Sequence, residues 1–395
     1  MKDKLTIGLF IDTYYPMIDG VVTVVDNYAK RLTKYGDVIV FAPKYPGKDY
    51  DDSKFPYKVV RCKSLRFPII DYGLPIPEFD RKFKKELEKY KLDIVHIHSP
   101  FMVGNIGIKY AKKHNIPAIA TMHSQFKQDL QRAVKSERFA KMLNNTLIRK
   151  FNKCDECWAV NSEVARIFYE DYGYKVMPKV MNNATDMEEV KDVKKAHEEI
   201  NTLHGIKEDE KVFLFVGRIN NLKNVFLLAN SLKILKDKNK ELKFKMLFVG
   251  CGQDEEGLKE LIKKNNMENE IIMCGKIADR ELLAKYYSRA DLFLFPSLYD
   301  ASSIVQIEAA SQKTPTVFIK GAATAATVTD NVNGFLAENN EEDYANRIAE
   351  IMNNKSLYDS VCENTYTDLY KNWDKAIEEV YESYKEIIEK KEKEK

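Results

Sequence analysis

The sequence predicts an α/β protein made of two Rossmann-like units, each built on a parallel sheet. Three observations lead there. The chain has 395 residues, more than one ordinary domain needs, and two domains of roughly 150–200 residues are the default. Short apolar, β-rich runs alternate with longer charged runs of helical period, the pattern of βαβ units. The alternation pauses once near the middle and then restarts.

In the first half, strands are expected at Leu5–Ile11, Val38–Ala42, Lys58–Arg61, Ile94–His98, Ala118–Met122 and Cys157–Val160. Helical stretches lie between them at Val24–Lys34, Arg81–Tyr90 and Val103–His114. The pause follows Asn182–Asp186. Strands resume at Lys211–Val216, Lys245–Val249, Glu270–Met273, Asp291–Phe295 and Thr316–Ile319. The first unit is therefore drawn as 1–186, a linker as 187–208 and the second unit as 209–370. Residues 371–395 read as an amphipathic helix that packs back toward the first unit. Its apolar residues Ala376, Ile377, Val380, Tyr384, Ile387 and Ile388 keep helical spacing, and its tail KKEKEK is expected to fray.

Composition narrows the class. The chain is 44% hydrophobic and 31% charged, as a globular protein should be, and no run of about 18 apolar residues spans a membrane. The opening MKDKLTIGLFIDTYYP reads as a first strand rather than a signal peptide, so a cytoplasmic protein is expected. Its six cysteines are expected free; Cys154 and Cys157 form a lone CxxC without the second pair a zinc site requires. The net charge of +3 hides an asymmetry: residues 1–186 carry 32 Lys/Arg against 22 Asp/Glu, and the remainder 31 against 38. A basic half facing something anionic is one reading, and ordinary solvated charge is the other.

In open α/β sheets, ligands bind beyond the carboxyl ends of the strands. After strand Lys211–Val216 comes VGRINNLKN, where Arg218 and Lys223 make a candidate diphosphate clamp. After DLFLFPS comes LYDASSIVQIEAA. Ser302 or Ser303 can cap a helix from about Ile304 to Gln312, whose N-terminus suits a phosphate. Asp300 before it can accept from sugar hydroxyls and Glu308 within it from a ribose diol, or Glu308 is a plain solvated helix residue. In the first half, Gly20 opens another strand–loop–helix turn. His123 ends a strand, where an imidazole can meet a sugar hydroxyl or stay structural. His96 is expected to pack and His98 to lie nearer the sheet edge. The GCG at 250–252 lacks a third glycine and opens into acids that repel phosphate. There is no GxGxxG, no GxSxG and no metal-ligand cluster, so an NAD-dependent oxidoreductase, a serine hydrolase and a metal site are not expected.

Together these motifs resemble glycosyltransferase family 4, the retaining enzymes of the double-Rossmann GT-B fold. PMIDGVVTVV is similar to the family's glycine loop, HIHSP with TMHS to its His-bearing strand ends, and VMNNATD to its domain junction. GRINNLKN is similar to its donor clamp, DASSIVQIE to its acidic pair and NGFLAE to its N-G-x-L. The resemblance implies two sheets facing across a cleft that grips a nucleotide sugar, with UDP-glucose the family-weighted donor. Arg218 and Lys223 would bind the diphosphate, with Ser303 and Ile304 beside it at the helix N-terminus. Glu308 would hold the ribose, Asp300 the transferred hexose, and His123 would sit beside the donor sugar. Gly20 would let the acceptor loop approach. No metal or other cofactor is implied. Asp300 stands where Glu is commoner and Ala184 where Gly is usual.

The acceptor side rests on residues 127–153, with eight Lys/Arg against two Asp/Glu and interleaved apolar residues. A basic amphipathic helix of this kind suits an anionic membrane surface, and family members acting on diacylglycerol are similar here. The same apolar face could instead dock on its own domain. The acceptor is therefore expected to be a lipid or a glycan, and the protein peripheral on the inner face of the plasma membrane. Nucleic acid is not expected, because the segment lacks clustered aromatics for stacking. Two other functions fit the same plan: a sugar-nucleotide 2-epimerase-like enzyme and a non-catalytic sugar-nucleotide-binding relative.

Overall fold

A computed structural model of the chain describes residues 4–17, 19–47, 51–67, 70–124, 137–298 and 300–394. Two compact units emerge: Met1–Asn183 with Trp373–Lys395, and Ala184–Asn372.

The first unit is ordered β1 (Leu5–Phe10), α1 (Gly20–Leu32), β2 (Gly36–Pro43), β3 (Lys58–Cys62), β4 (Ser64–Phe67), β5 (Ile70–Pro75), α2 (Arg81–Leu87), β6 (Ile94–Ile97), α3 (Met102–His114), β7 (Ala118–Met122), α4 (Glu137–Phe151), β8 (Glu156–Ala159), α5 (Ser162–Arg166) and β9 (Lys179–Val180). Its seven-stranded sheet runs β3-β2-β1-β6-β7-β8-β9, with every pairing parallel. Strands β6 and β7 are buried at every residue, as expected where helices cover both faces of a parallel sheet. The β4–β5 hairpin is antiparallel and separate, and sequence reading missed it.

The second unit is ordered α6 (Val193–His204), β10 (Lys211–Val216), α7 (Val225–Lys238), β11 (Phe244–Val249), α8 (Glu255–Lys264), β12 (Ile271–Gly275), α9 (Arg280–Arg289), β13 (Leu292–Phe295), α10 (Ile304–Ser311), β14 (Thr316–Ile319), β15 (Phe335–Ala337), α11 (Glu341–Asn353) and α12 (Lys355–Leu369). Its six-stranded sheet runs β12-β11-β10-β13-β14-β15, again with parallel pairings. Both sheets therefore reverse their strand order once, between β1 and β6 in one unit and between β10 and β13 in the other. That switch point is where a doubly wound sheet opens a crevice for ligand.

Residues 187–208, expected as a linker, contain helix α6. Asp192 caps it by accepting from Lys195 N, and Gly205 ends it in the left-handed region. Ala196 and Ile200 are buried, and His197 Nε2 lies 2.7 Å from Ser288 O. The segment is thus a packed part of the second unit.

The final helix, α13 (Trp373–Lys393), belongs to the first unit. All six apolar residues expected on its inner face are buried, together with Trp373 and Ser383. The helix runs to Lys393, and Lys391 Nζ pairs with Asp155 Oδ1 at 2.6 Å. Tyr381 stacks on Tyr35 at 4.3 Å, and Tyr384 stacks on Trp158 at 5.7 Å.

Candidate active site

In the second unit the loop leaving β10 carries the candidate clamp. It lies against the loop leaving β11: Gly217 N donates to Val249 O at 3.0 Å and Ile219 N to Cys251 O at 3.0 Å. A Cβ at Gly250, whose φ is +142°, would fall 1.8 Å from Gly217 O, and one at Gly252 would fall 2.1 Å from Ile219 O. Only glycine fits at either position. The GCG set aside in the sequence as a poor phosphate loop is thus the backbone support of the clamp loop. Arg218 is exposed and makes no hydrogen bond or ion pair among the described residues. Asn220 caps the turn Asn221–Lys223 by accepting from Lys223 N at 3.2 Å.

The Lys223 ammonium forms an ion pair with both carboxylate oxygens of Asp300 and lies 5.5 Å from the Phe295 ring centroid. Ser297 Oγ donates to Asp300 Oδ2 at 2.8 Å. Strand β10 delivers Lys223 and its neighbour β13 delivers Phe295, Ser297 and Asp300, so all four meet at the switch point. Two groups expected to serve different parts of a donor, the clamp lysine and the hexose acid, share one network.

Ser303, not Ser302, caps α10: its backbone is extended and its Oγ accepts from Gln306 N at 3.3 Å. Ile304 is half-buried, whereas Ile307 and Ala310 are buried. Gln306, Glu308 and Ala309 are buried too, so the helix has no solvated face at Glu308. The Glu308 carboxylate is held on both oxygens, by Arg280 Nη1 at 2.7 Å and Tyr287 Oη at 3.0 Å. Burial pushes its carboxyl above the ordinary range, and the adjoining Arg280 guanidinium opposes that shift.

At the first unit's switch point, Asp12 follows β1 and binds the chain that follows β6. Its carboxylate accepts from Ser99 Oγ at 2.8 Å, Phe101 N at 3.2 Å, Val103 N at 2.7 Å and Gly104 N at 3.4 Å. It thereby occupies the positive N-terminal end of α3. Helix α1 is closed in the same way, with Asp19 Oδ1 accepting from Val22 N at 2.8 Å. A carboxylate thus occupies each of these helix N-termini, ends that would otherwise suit a phosphate. Gly20 itself is exposed, and nothing lies within 4 Å of a Cβ built there.

The three strand-end histidines form one stack. His96 and His98 centroids are 4.1 Å apart, and His98 Nδ1 lies 3.0 Å from His123 Nε2. His96 packs as expected, with Nδ1 2.6 Å from Tyr384 Oη and Nε2 2.6 Å from Thr121 Oγ1. His98 directly follows β6, at the carboxyl edge as expected, and is only 2% exposed there. Burial lowers the pKa of all three, that of His123 to about 3, so the stack is neutral at ordinary pH.

Sequence reasoning missed three residues here: Arg280, which grips Glu308; Tyr287, two helical turns further on; and Asp12. Only Asp12 carried a signal, as an acid directly after an apolar strand.

Residues 18–189 match the sequence model described as Glycosyltransferase Family 4, and residues 197–368 match Glycosyl transferases group 1. The alpha-monoglucosyldiacylglycerol synthase of Streptococcus pneumoniae is 27% identical over 392 residues, covering 95% of this chain and 85% of that protein. The enzyme of the same name from Acholeplasma laidlawii is 27% identical over 404 residues, covering 92% and 97%. Among solved structures, a glycosyltransferase from Rickettsia africae superposes with a TM-score of 0.74 at 19% identity, covering 98% of this chain and 99% of that one. Anabaena HepE in complex with UDP-glucose gives 0.72 at 16% identity, covering 96% and 100%. The fold is GT-B, the activity is that of a hexosyltransferase, and the chain belongs to glycosyltransferase family 4.

Proposed function

We propose that the chain moves a hexose from a nucleotide sugar, UDP-glucose, to a lipid acceptor such as diacylglycerol. The transfer retains the anomeric configuration, uses no metal ion and takes place at the cytoplasmic face of a membrane. The observation that carries the donor half is the meeting of Lys223 and Asp300 at the β10/β13 switch point. A diphosphate arriving there draws Lys223 away from Asp300 and adds the exposed Arg218 as a second cation. The capped N-terminus at Ser303–Ile304 presents backbone N–H groups to the same phosphates. Freed from Lys223, the Asp300 carboxylate accepts from the hexose hydroxyls, while Glu308 uses its remaining lone pairs on the ribose. His123, neutral, hydrogen-bonds the transferred sugar, and Gly20 leaves open space for the acceptor loop. The cations and helix terminus neutralise the leaving diphosphate; among the described residues no His, Cys, Asp or Glu group of three or more is gathered for a metal.

The lipid half draws on the two synthases named above and on the basic segment. Residues 125–136 lie outside the described residues, including Leu130, Val134 and Lys135. In the remainder, α4 buries Leu147, Ile148 and Phe151 in its own unit, so that apolar face is not available for shallow insertion. Arg138, Lys141 and Arg149 stay exposed, as does Met142, and attraction to anionic lipid is the contribution left to α4. No described helix is long and apolar enough to cross a membrane. The test is incubation with UDP-glucose and diacylglycerol in anionic liposomes with excess EDTA, followed by NMR of the lipid product. An α-glucosyl lipid is expected. Its absence, with glucose on a soluble glycan instead, would overturn the acceptor; an isomerised nucleotide sugar would restore the epimerase reading.

A further inference from the structure

Arg280 is oddly placed. It is the first residue of α9, directly after the cap Asp279, whose carboxylate accepts from Glu281 N at 2.9 Å and Leu282 N at 3.2 Å. A cation in the first helical turn lies against the helix dipole. Its guanidinium reaches two carboxylates at once. Nη1 meets Glu308 Oε1 at 2.7 Å, and Nη2 meets Asp186 Oδ1 at 2.7 Å and Thr185 Oγ1 at 3.4 Å. Seven residues along the same helix, on the same face, Tyr287 donates to Glu308 Oε2. One helix thus supplies both partners of Glu308 and ties it to the segment where the second unit begins.

Glu308 is 4% exposed. A carboxylate that deep stays ionised only with a counter-charge and hydrogen bonds. The titratable and charged groups facing it are Arg280 and Tyr287 from α9 and Asp186 from the junction. Arg280 is the one cation among them, and Asp186, drawn to its other arm, fixes the direction in which it points.

We propose that Arg280 is a positioning residue for donor binding: it holds Glu308 ionised and aimed without touching the donor, and Asp186 braces it. This rests on the reading of Glu308 as the ribose acceptor. Ribose contacts are the same in ground and transition states, so loss of Arg280 raises the donor KM and leaves kcat at saturation nearly unchanged. It also makes donor affinity depend on pH. Without the guanidinium the Glu308 pKa rises, protonation removes acceptor capacity, and affinity falls as pH falls.

The experiment is calorimetric titration of the full chain with UDP-glucose, whose doubly esterified diphosphate does not titrate near neutrality, from pH 5.5 to 8.5. Wild type, Arg280→Gln, Arg280→Lys, Asp186→Asn and Glu308→Gln are compared, each checked by circular dichroism. The inference expects a flat profile for wild type. It expects Arg280→Gln to bind roughly tenfold more weakly at pH 7, with further loss toward pH 5.5, and Arg280→Lys to recover most of the affinity and the flat profile. Asp186→Asn should fall between. Wild-type affinity in Arg280→Gln at every pH, with Glu308→Gln weakened, overturns the inference alone and leaves an ordinary ion pair. Unchanged affinity in Glu308→Gln overturns the reading of Glu308 beneath it, and the inference with it. If Arg280→Gln fails to fold, the Asp186→Asn profile decides: intermediate affinity that falls toward pH 5.5 supports the inference, and wild-type affinity at every pH overturns it.

Discussion

At the point where the strand order reverses, the second unit gathers charges and the first gathers neutral rings. Lys223 and Asp300 face each other beside an exposed Arg218, with Glu308 and Arg280 paired one helix away. In the first unit the comparable place holds His96, His98 and His123, all kept uncharged by burial. Asp12, after β1, is there occupied by Ser99 Oγ and backbone N–H groups. The same topology thus builds two kinds of switch point. Cations on a post-strand loop suit a nucleoside diphosphate, whereas an uncharged wall suits hydroxyl-bearing or apolar groups. The difference lies in a few residues after each strand, which is where function sits on a shared fold.

The contrast can be broken by substitution, and the largest effect is expected at Asp300. Asp300→Asn should lower kcat by about 100-fold while UDP affinity changes little, because the interaction strengthens as charge develops on the sugar. Steady-state kinetics at saturating donor checks this, and an intact kcat would remove Asp300 from the reacting shell. Next come Arg218→Ala and Lys223→Ala. Each should weaken UDP binding by about 1.5–3 kcal/mol, the usual loss for a hydrogen bond to a charged group, with the fold retained. Unchanged affinity in both variants would move the diphosphate elsewhere.

The histidine stack gives a smaller effect of opposite kind. An imidazole held neutral takes up a proton on unfolding once pH drops below its ordinary value of 6.5. Stability from His123 is therefore intact above about pH 6.5 and is lost as pH falls toward about 3, by at most about 1.4 kcal/mol per pH unit. His123→Asn should flatten the decline of Tm between pH 6.5 and 4, and an unchanged slope would mean the ring is protonated in the fold. The smallest effect concerns the surface. Arg138→Glu/Lys141→Glu/Arg149→Glu should reduce flotation with anionic liposomes, each charge being worth about 1 kcal/mol and screened by salt. Equal flotation by the variant would leave α4 a solvated face.

Much of this contrast was legible in the sequence. Apolar runs located eleven of the thirteen sheet strands to within one or two residues, because buried parallel strands read as continuous hydrophobic stretches, whereas the short last strands β9 and β15 were not expected. Ser303 and Glu308 stood out because capping and post-strand position are local signals. The grip of Arg280 on Glu308 did not, since it joins residues 28 apart in sequence on different helices. Asp12 is likewise bound to residues 87 to 92 positions away. Helix α6 was missed for a different reason: its polar composition resembles a linker. Yet Asp192, Gly205 and the pair Ala196–Ile200 four apart are start, stop and inner-face signals, and weighting them above composition would have found it.

The central claim is that the donor binds at the second unit's switch point, and hydrogen–deuterium exchange on the full chain with and without UDP tests it most directly. The account predicts slowed exchange at 217–224 and at 303–308, reduced or lost in Lys223→Ala. Protection confined to the first unit, with both of those stretches unchanged, would contradict it.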